Sequence, residues 1–315
     1  MAHFGTSSGV DKSTVIAAWK PRIPLAAMSL GSLHPDGEAQ RLFKSLKGER
    51  VSYCEHYFVH KFCHYFDNKH SRHNIVVTMA QLSDYRVLSF DVYGTLVDWE
   101  GGILAAFQPT LNKNNAQFSR EHLLTVYHEL EREQQAKTPD MPYHELLASV
   151  HPQFTDRLGL AAPSQEESKQ FGESVGSWPA FPDTVDALKR LSKHYKLVVL
   201  SNVDRESFAK TNAGSLEGFP FDLIITAQDV GSYKPALRNF EYMLQAVKST
   251  FDIEASQVLQ TAQSQFHDHH PASKIGIKSA WIERPGATMG NLPENIYDWR
   301  FDTLGDMADA LKAER

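Results

Sequence analysis

VLSFDVYGTL, Val87 to Leu96, is the stretch on which the reading of this 315-residue chain turns. The apolar run Val87-Leu88-Ser89-Phe90 closes on Asp91 and then Gly94, the pattern of a buried strand that ends in a tight turn. Open α/β sheets bind their ligands at the carboxyl ends of strands, so this arrangement puts a carboxylate where ligands sit. Gly94 allows close approach of the backbone, and Thr95 adds a hydroxyl one step further on. Alone, an Asp-x-x-Gly is more often an Asp that opens a turn. Further segments in the right order decide against that simpler reading.

KLVVLSN, Lys196 to Asn202, is another apolar strand and ends in Ser201-Asn202. FDLIITAQDVGSYKP, Phe221 to Pro235, is a strand followed by a loop that carries Lys234 ahead of a helix-starting Pro235. Four strands separated by helical segments, each with polar groups at its carboxyl end, predict an α/β fold. It is a doubly wound, mostly parallel, Rossmann-like sheet with a site along one edge. The order Asp, Ser, Lys and a late acid resembles the haloacid dehalogenase superfamily over about Tyr85 to Leu311. The resemblance makes Asp91 the nucleophile and assigns the second, third and fourth motifs to Ser201, Lys234 and Asp268.

The 42% hydrophobic content and net charge of −6 fit an ordinary globular protein and give no reason to propose a nucleic-acid partner. No apolar run approaches the roughly 18 residues of a membrane span, and the first residues lack a signal-peptide core. The expectation is a cytoplasmic protein with a small-molecule substrate, no membrane partner, and a homodimer as the candidate assembly. Early Ser/Thr content with the single acid Asp11 also fits a mitochondrial transit peptide, the less favoured alternative.

Residues 1–78 are rich in Gly, Ser, Pro and His and keep no period, so they are expected to be a poorly ordered leader or extension. Cys54 to His73 gathers two Cys and five His. The cysteines are nine apart rather than closely paired, and only His56, His60 and His64 share a helical face, which argues against a zinc site. An α/β core is expected over 79–98 and 178–315, with a helical insert over 99–177. Within that insert Ser119 caps a helix with Leu123, Val126, Tyr127 and Leu130 at helical spacing. Tyr143 to Leu160 is a second amphipathic stretch, and a third begins at Pro163. By resemblance the insert is the cap subdomain of the superfamily, and Trp178 to Asp183 is the return hinge.

A carboxylate nucleophile needs a cation to hold its charge and a pocket that keeps competing water out. Lys234 is the candidate cation, and Thr95 and Ser201 are hydroxyls able to orient the carboxylate. Superfamily phosphatases place a second Asp two positions after the nucleophile and use paired acids in the fourth motif to hold Mg²⁺. Here Tyr93 stands at the first position, and the fourth motif, Gln260 to Gly276, keeps only Asp268. The resemblance is therefore to the metal-free 2-haloacid dehalogenases, with no cofactor expected and Asp268 placing or activating the water that hydrolyses an aspartyl ester.

Several substrate positions depart from that pattern. The halide-binding arginine of the first cap helix aligns with His128, flanked by Arg120 and Arg132. The Tyr six residues after the Lys is Phe240, and the fourth-motif Ser and Asn are Gln263 and Gln265. Tyr93, Asn202, His128, Gln263, Gln265 and His267 are the expected substrate-binding residues, His267 as a pocket wall or general base. His267, His269 and His270 would lie on different faces of a helix, which disfavours a shared metal. The alternatives are a Mg²⁺-dependent phosphatase and a catalytically silent binding relative.

Overall fold

The computed structural model describes residues 80–315. The leader and its Cys54–His73 cluster lie outside the described residues. Six strands form one parallel sheet in the order β3-β2-β1-β4-β5-β6. They are β1 (Val87–Phe90), β2 (Lys196–Ser201), β3 (Leu223–Thr226), β4 (Val258–Ala262), β5 (Lys278–Ile282) and β6 (Trp299–Phe301). Every residue of β1 and β4 is buried, as expected for parallel strands covered on both faces. Alternation sends Leu88 and Phe90 to one face and Val87 to the other, where they join separate apolar clusters.

Four helices leave the sheet directly after the Asp91 turn: α1 (Trp99–Lys113), α2 (Arg120–Lys137), α3 (Tyr143–Arg157) and α4 (Gln165–Glu173). Their ends are fixed by sequence. The Asp98, Ser119 and Ser164 side chains accept from backbone N–H groups of the first turns of α1, α2 and α4, and Ser164 completes a capping box with Glu167. Phe107 stacks on Phe154 at 4.0 Å between ring centres, so these helices carry their own aromatic core. The outgoing and returning chains pair where they meet the sheet: Asp98 N donates to Pro179 O (2.8 Å) and Phe181 N to Leu96 O (3.0 Å). Trp178 lies on Gly102, where a Cβ would come within 2.4 Å of the indole.

The chain then alternates. The helices are α5 (Thr184–Leu191), α6 (Arg205–Ala213), the single turn α7 (Ala227–Val230), α8 (Leu237–Phe251), α9 (His270–Ile275) and α10 (Leu304–Ala313). The apolar residues of α5 and α10 join the cluster on one face of the sheet, and those of α8 and α9 join the cluster on the other. Two details differ from the sequence reading. Strands β5 and β6 extend the sheet beyond the four expected. Helix α8 begins at Leu237 rather than Pro235, with Ala236 as its N-cap. Among the described residues no helix is long and apolar enough to cross a membrane.

Candidate active site

The strand order reverses around β1: β2 lies on one side of it and β4 on the other. A crevice forms at such a switch point, and Asp91 is the first residue past the end of β1. Its backbone N–H still pairs with Thr261 O of β4 at 3.2 Å, so the carboxylate is anchored by the sheet itself. The chain turns away at once: Leu96 N and Val97 N both donate to Val92 O, and Gly94 takes φ +96, a conformation costly for any residue with a Cβ.

Both oxygens of Asp91 are engaged. Lys234 Nζ donates to Oδ1 at 2.9 Å and Thr95 Oγ1 to Oδ2 at 2.6 Å. Thr95 in turn accepts from Gln263 N at 2.9 Å. The Thr95 hydroxyl thus fixes the Asp91 carboxylate from behind, and Thr95 is absent from the cavity wall. Lys234 is fully buried and also donates to Asp268 Oδ1 (2.7 Å) and Leu200 O (2.9 Å). Burial opposes its charge, but Asp268 and Asp91 more than offset that and hold the ammonium above its ordinary pKa. Asn202 brackets the Lys234 backbone, donating to its carbonyl (3.0 Å) and accepting from its N–H (2.7 Å).

Asp268 sits in a π-helical turn, Gln265–His269, and Gln260 Nε2 donates to the oxygen already bound by Lys234 (2.9 Å). Its Oδ2 is buried without a partner, and so is Ser201 Oγ. Complete burial pushes the Asp268 carboxyl up against the pull of Lys234, and nearby Asp91 adds to the rise. The two orphan oxygens border the same cavity as Asp91, one able to accept a proton and the other able to donate one.

That cavity, about 490 Å³, is lined on one side by residues of α1, α2 and α3. Tyr93 lines it with its ring, packed edge-on to Trp178, while its hydroxyl is spent on Thr211 Oγ1 (2.8 Å). Burial raises the phenol pKa further, which leaves Tyr93 a wall and no acid. His128 and His267 also line the cavity. Burial, Lys234 and then His128 push His267 down to about 3, so its ring is neutral near pH 7 and its proton affinity is too low for a general base. Of the two roles expected for it, pocket wall is the one the environment allows.

Gln263 reaches the cavity while its amide nitrogen donates to Met289 O (3.0 Å). Gln265 does not reach it. Its Oε1 accepts from Ile296 N (2.8 Å), which turns the side chain away, and the expectation that Gln265 binds substrate is corrected. Phe240 is in the apolar layer of α8, and Arg132 points to solvent. Arg120 does line the cavity but is committed to Glu100 at 2.5 Å, while Glu100 Oε1 accepts from Thr288 N and Met289 N (2.7 Å each). The histidines diverge: His269 is locked between Ser279 and Ala262 O, and His270 faces Glu294 O. Among the described residues no group of three or more metal-ligating side chains is assembled.

Three residues of the site escaped the sequence reading. Gln260 lies inside β4, where a buried amide has no local signature. Arg284, at φ +53, donates to Thr95 O (2.9 Å) and Asp183 Oδ1 (2.6 Å) and lies over the Phe181 ring, so it ties the Asp91 turn to the segment returning from the helical insert. Glu131 lines the cavity from α2 and accepts from Tyr143 OH at 2.5 Å. A signal for it existed: Glu131 follows Leu130 on the apolar stripe of α2, where a charge is out of place.

A haloacid dehalogenase-like hydrolase profile matches residues 85–259, more than half of the chain. No curated protein sequence matches significantly. Solved structures share the fold. A defluorinating L-2-haloacid dehalogenase is 18% identical, with a TM-score of 0.61 over 72% of this chain and 95% of its own. The L-2-haloacid dehalogenase of Xanthobacter autotrophicus with chloropropionic acid covalently bound is 16% identical, with a TM-score of 0.60 over 73% and 100%. The HAD-hydrolase YfnB of Bacillus subtilis bound to magnesium is 17% identical, with a TM-score of 0.59 over 72% and 99%. The profile match and a parallel sheet with its carboxylate at the switch point agree: this chain belongs to the haloacid dehalogenase-like hydrolase family.

Proposed function

We propose that this hydrolase cleaves a carbon–halogen bond, or a related carbon–leaving-group bond, of a small organic acid through an ester of Asp91, without a metal. The observation that carries the reading is the buried Lys234 ammonium shared between Asp91 and Asp268. It lies 2.9 and 2.7 Å from the two carboxylates and bridges them. Mg²⁺ prefers about six oxygen ligands. Here both Asp91 oxygens and one Asp268 oxygen already accept hydrogen bonds, and Tyr93 stands where a phosphatase has its acid. The donor set does not fit Mg²⁺, which favours this reading over the phosphatase one.

In the first step an Asp91 oxygen forms a bond to the substrate carbon, and the leaving group departs with its electron pair. Lys234 and Thr95 hold the carboxylate so that little reorganisation is needed. In the second step water adds to the Asp91 carbonyl carbon and the ester C–O bond to Asp91 breaks. The alcohol leaves, Asp91 is restored as a carboxylate, and one proton is released. Asp268 Oδ2 is the acceptor for that proton, made more basic by burial. Ser201 Oγ is free to donate to the substrate carboxylate.

The test is a single turnover in H₂¹⁸O with 2-haloacids, followed by mass analysis of the Asp91 peptide. The expected result is heavy oxygen in Asp91 and none in the first product. Label in the first product with an unlabelled Asp91 peptide means direct attack by water and rejects the ester mechanism.

A further inference from the structure

The cap wall of the cavity carries a charge pattern that the ester chemistry does not use. Every cation lining the cavity is already paired: Lys234 with Asp91 and Asp268, Arg120 with Glu100, and Arg284 with Asp183. Two cavity carboxyls have no such partner among the described residues: part-exposed Asp98, which caps α1 through Gly101 N, and buried Glu131. Glu131, on α2, is 5% exposed and its Oε1 accepts from Tyr143 OH. Its Oε2 makes no hydrogen bond, and the nearest basic nitrogen is His128 Nδ1 at 3.9 Å. That nitrogen is itself buried and unpartnered. Burial, and then Arg132, push the His128 pKa down, so the imidazole offers Glu131 no positive charge near pH 7.

A buried acid without a cation is costly, and a purely structural brace between α2 and α3 would need only a neutral acceptor for Tyr143. Glutamine would supply that acceptor without the desolvation of a carboxyl. The arrangement makes sense when the missing partner arrives with the substrate. We propose that Glu131 is a specificity-determining residue that receives a hydrogen-bond donor, preferentially an ammonium, at the far end of the substituent on the reacting carbon. This rests on the Asp91 ester reading for the position of the reacting carbon. The substrate class it defines is an α-substituted organic acid with an amino-terminated side chain. Its carboxylate lies toward Ser201 and its amine toward the cap.

The proposal also accounts for the cap arginine that the dehalogenase-like pattern leads one to expect. An unpaired arginine at this wall would repel an ammonium. The chain has His128 there, held neutral, and its nearest arginine on the cavity wall, Arg120, is neutralised by Glu100.

Two arms separate this proposal from the reading beneath it. Binding is measured by calorimetry on the full-length protein with 2-hydroxyhexanoate and 6-amino-2-hydroxyhexanoate, a pair that differs only in the terminal ammonium. The amino compound is expected to bind about tenfold or more tightly, the scale of one hydrogen bond between charged groups. Glu131→Gln, which keeps an acceptor for Tyr143, should bring that ratio close to one. Equal binding of the pair, failure of both to bind, or an unchanged ratio in Glu131→Gln overturns the proposal. In the second arm 2-bromohexanoate and 6-amino-2-bromohexanoate are turned over in H₂¹⁸O. A higher kcat/KM for the amino member, lost in Glu131→Gln, supports the proposal. Bromide release without label in Asp91 rejects the ester mechanism and leaves the binding result to decide the role of Glu131.

Discussion

Replacing Glu131 by Gln is expected to make the protein more stable at neutral and alkaline pH, and the size follows from the burial of this one group. Burial pushes the Glu131 carboxyl up to about 7 from an ordinary 4.5, with Tyr143 pulling the other way. The folded state therefore holds the proton more tightly than the unfolded chain. The stabilising contribution is complete below about pH 4.5, declines as pH rises, and is gone once the folded carboxyl ionises near pH 7. Each pH unit across that window is worth about 1.4 kcal/mol, so the ionised side chain costs the folded state about 3 kcal/mol at pH 8. The amide carries no such cost and still offers an oxygen to Tyr143 OH. Urea unfolding of both proteins at pH 5 and pH 8 isolates the effect, because Asp268 titrates identically in each. The stability of Glu131→Gln relative to wild type should rise by about 2–3 kcal/mol between the two pH values. A difference that is the same at both would mean that Glu131 ionises like a surface acid, and the argument for an uncompensated charge in the cavity would fail.

Other perturbations probe the nucleophile end. Lys234→Met should lower kcat/KM by about a hundredfold or more, comparable to removing one preorganised donor from a developing charge; a loss below fivefold in steady-state assays would deny Lys234 its role in holding Asp91. Ser201→Ala should raise KM more than it lowers kcat, because its buried hydroxyl has no partner within the protein and is available to the substrate; an effect on kcat alone would place it in the chemical step. Turnover should be the same in EDTA as in Mg²⁺, and activity abolished by EDTA and restored by Mg²⁺ would promote the phosphatase reading. Gly94→Ala should cost about 1 kcal/mol or more in urea unfolding, since Gly94 sits at φ +96; an unchanged midpoint would show that the turn relaxes freely.

The placement of Asp91, Ser201 and Lys234 was legible in the sequence because it is carried by local grammar. A β-branched strand that stops at Asp and Gly can be read without knowing its neighbours, and so can a strand that stops at Ser-Asn. Three parallel strands then bring Asp91, Ser201 and Lys234 to one edge by topology alone. The edge strand β6 is only Trp299–Phe301 and partly exposed, too short for a period to declare itself. Arg284 was hidden for a different reason: its partners Thr95 and Asp183 are 189 and 101 residues away, and nothing beside it in the sequence marks an inward-turned arginine. Gln265 shows the converse failure. Its place in the fourth motif suggested the cavity, but an unusual π-helical turn faces it toward Ile296 instead.

The divergence at the cap has a physical logic that follows from how the charges are paired. Lys234 is satisfied entirely by the core, through Asp91, Asp268 and Leu200 O, so the Asp91 carboxylate is held whatever the cap presents. The cap residues are under no such obligation. Arg120 and Glu100 neutralise each other, and Glu100 anchors the Thr288–Met289 loop, which fixes the rim without contributing a net charge. Against a rim of that kind the buried Glu131 carboxyl is screened far less than a charge in water, whereas Asp98, the other cavity carboxyl without a cation, is part exposed. In the proposed reading one helix position, Glu131 in the apolar stripe of α2, changes which substituents are admitted while leaving Asp91 and its supports untouched. Under the proposed function selectivity and bond cleavage would then be separable, with Lys234 paired inside the core and Glu131 left without a cation on α2.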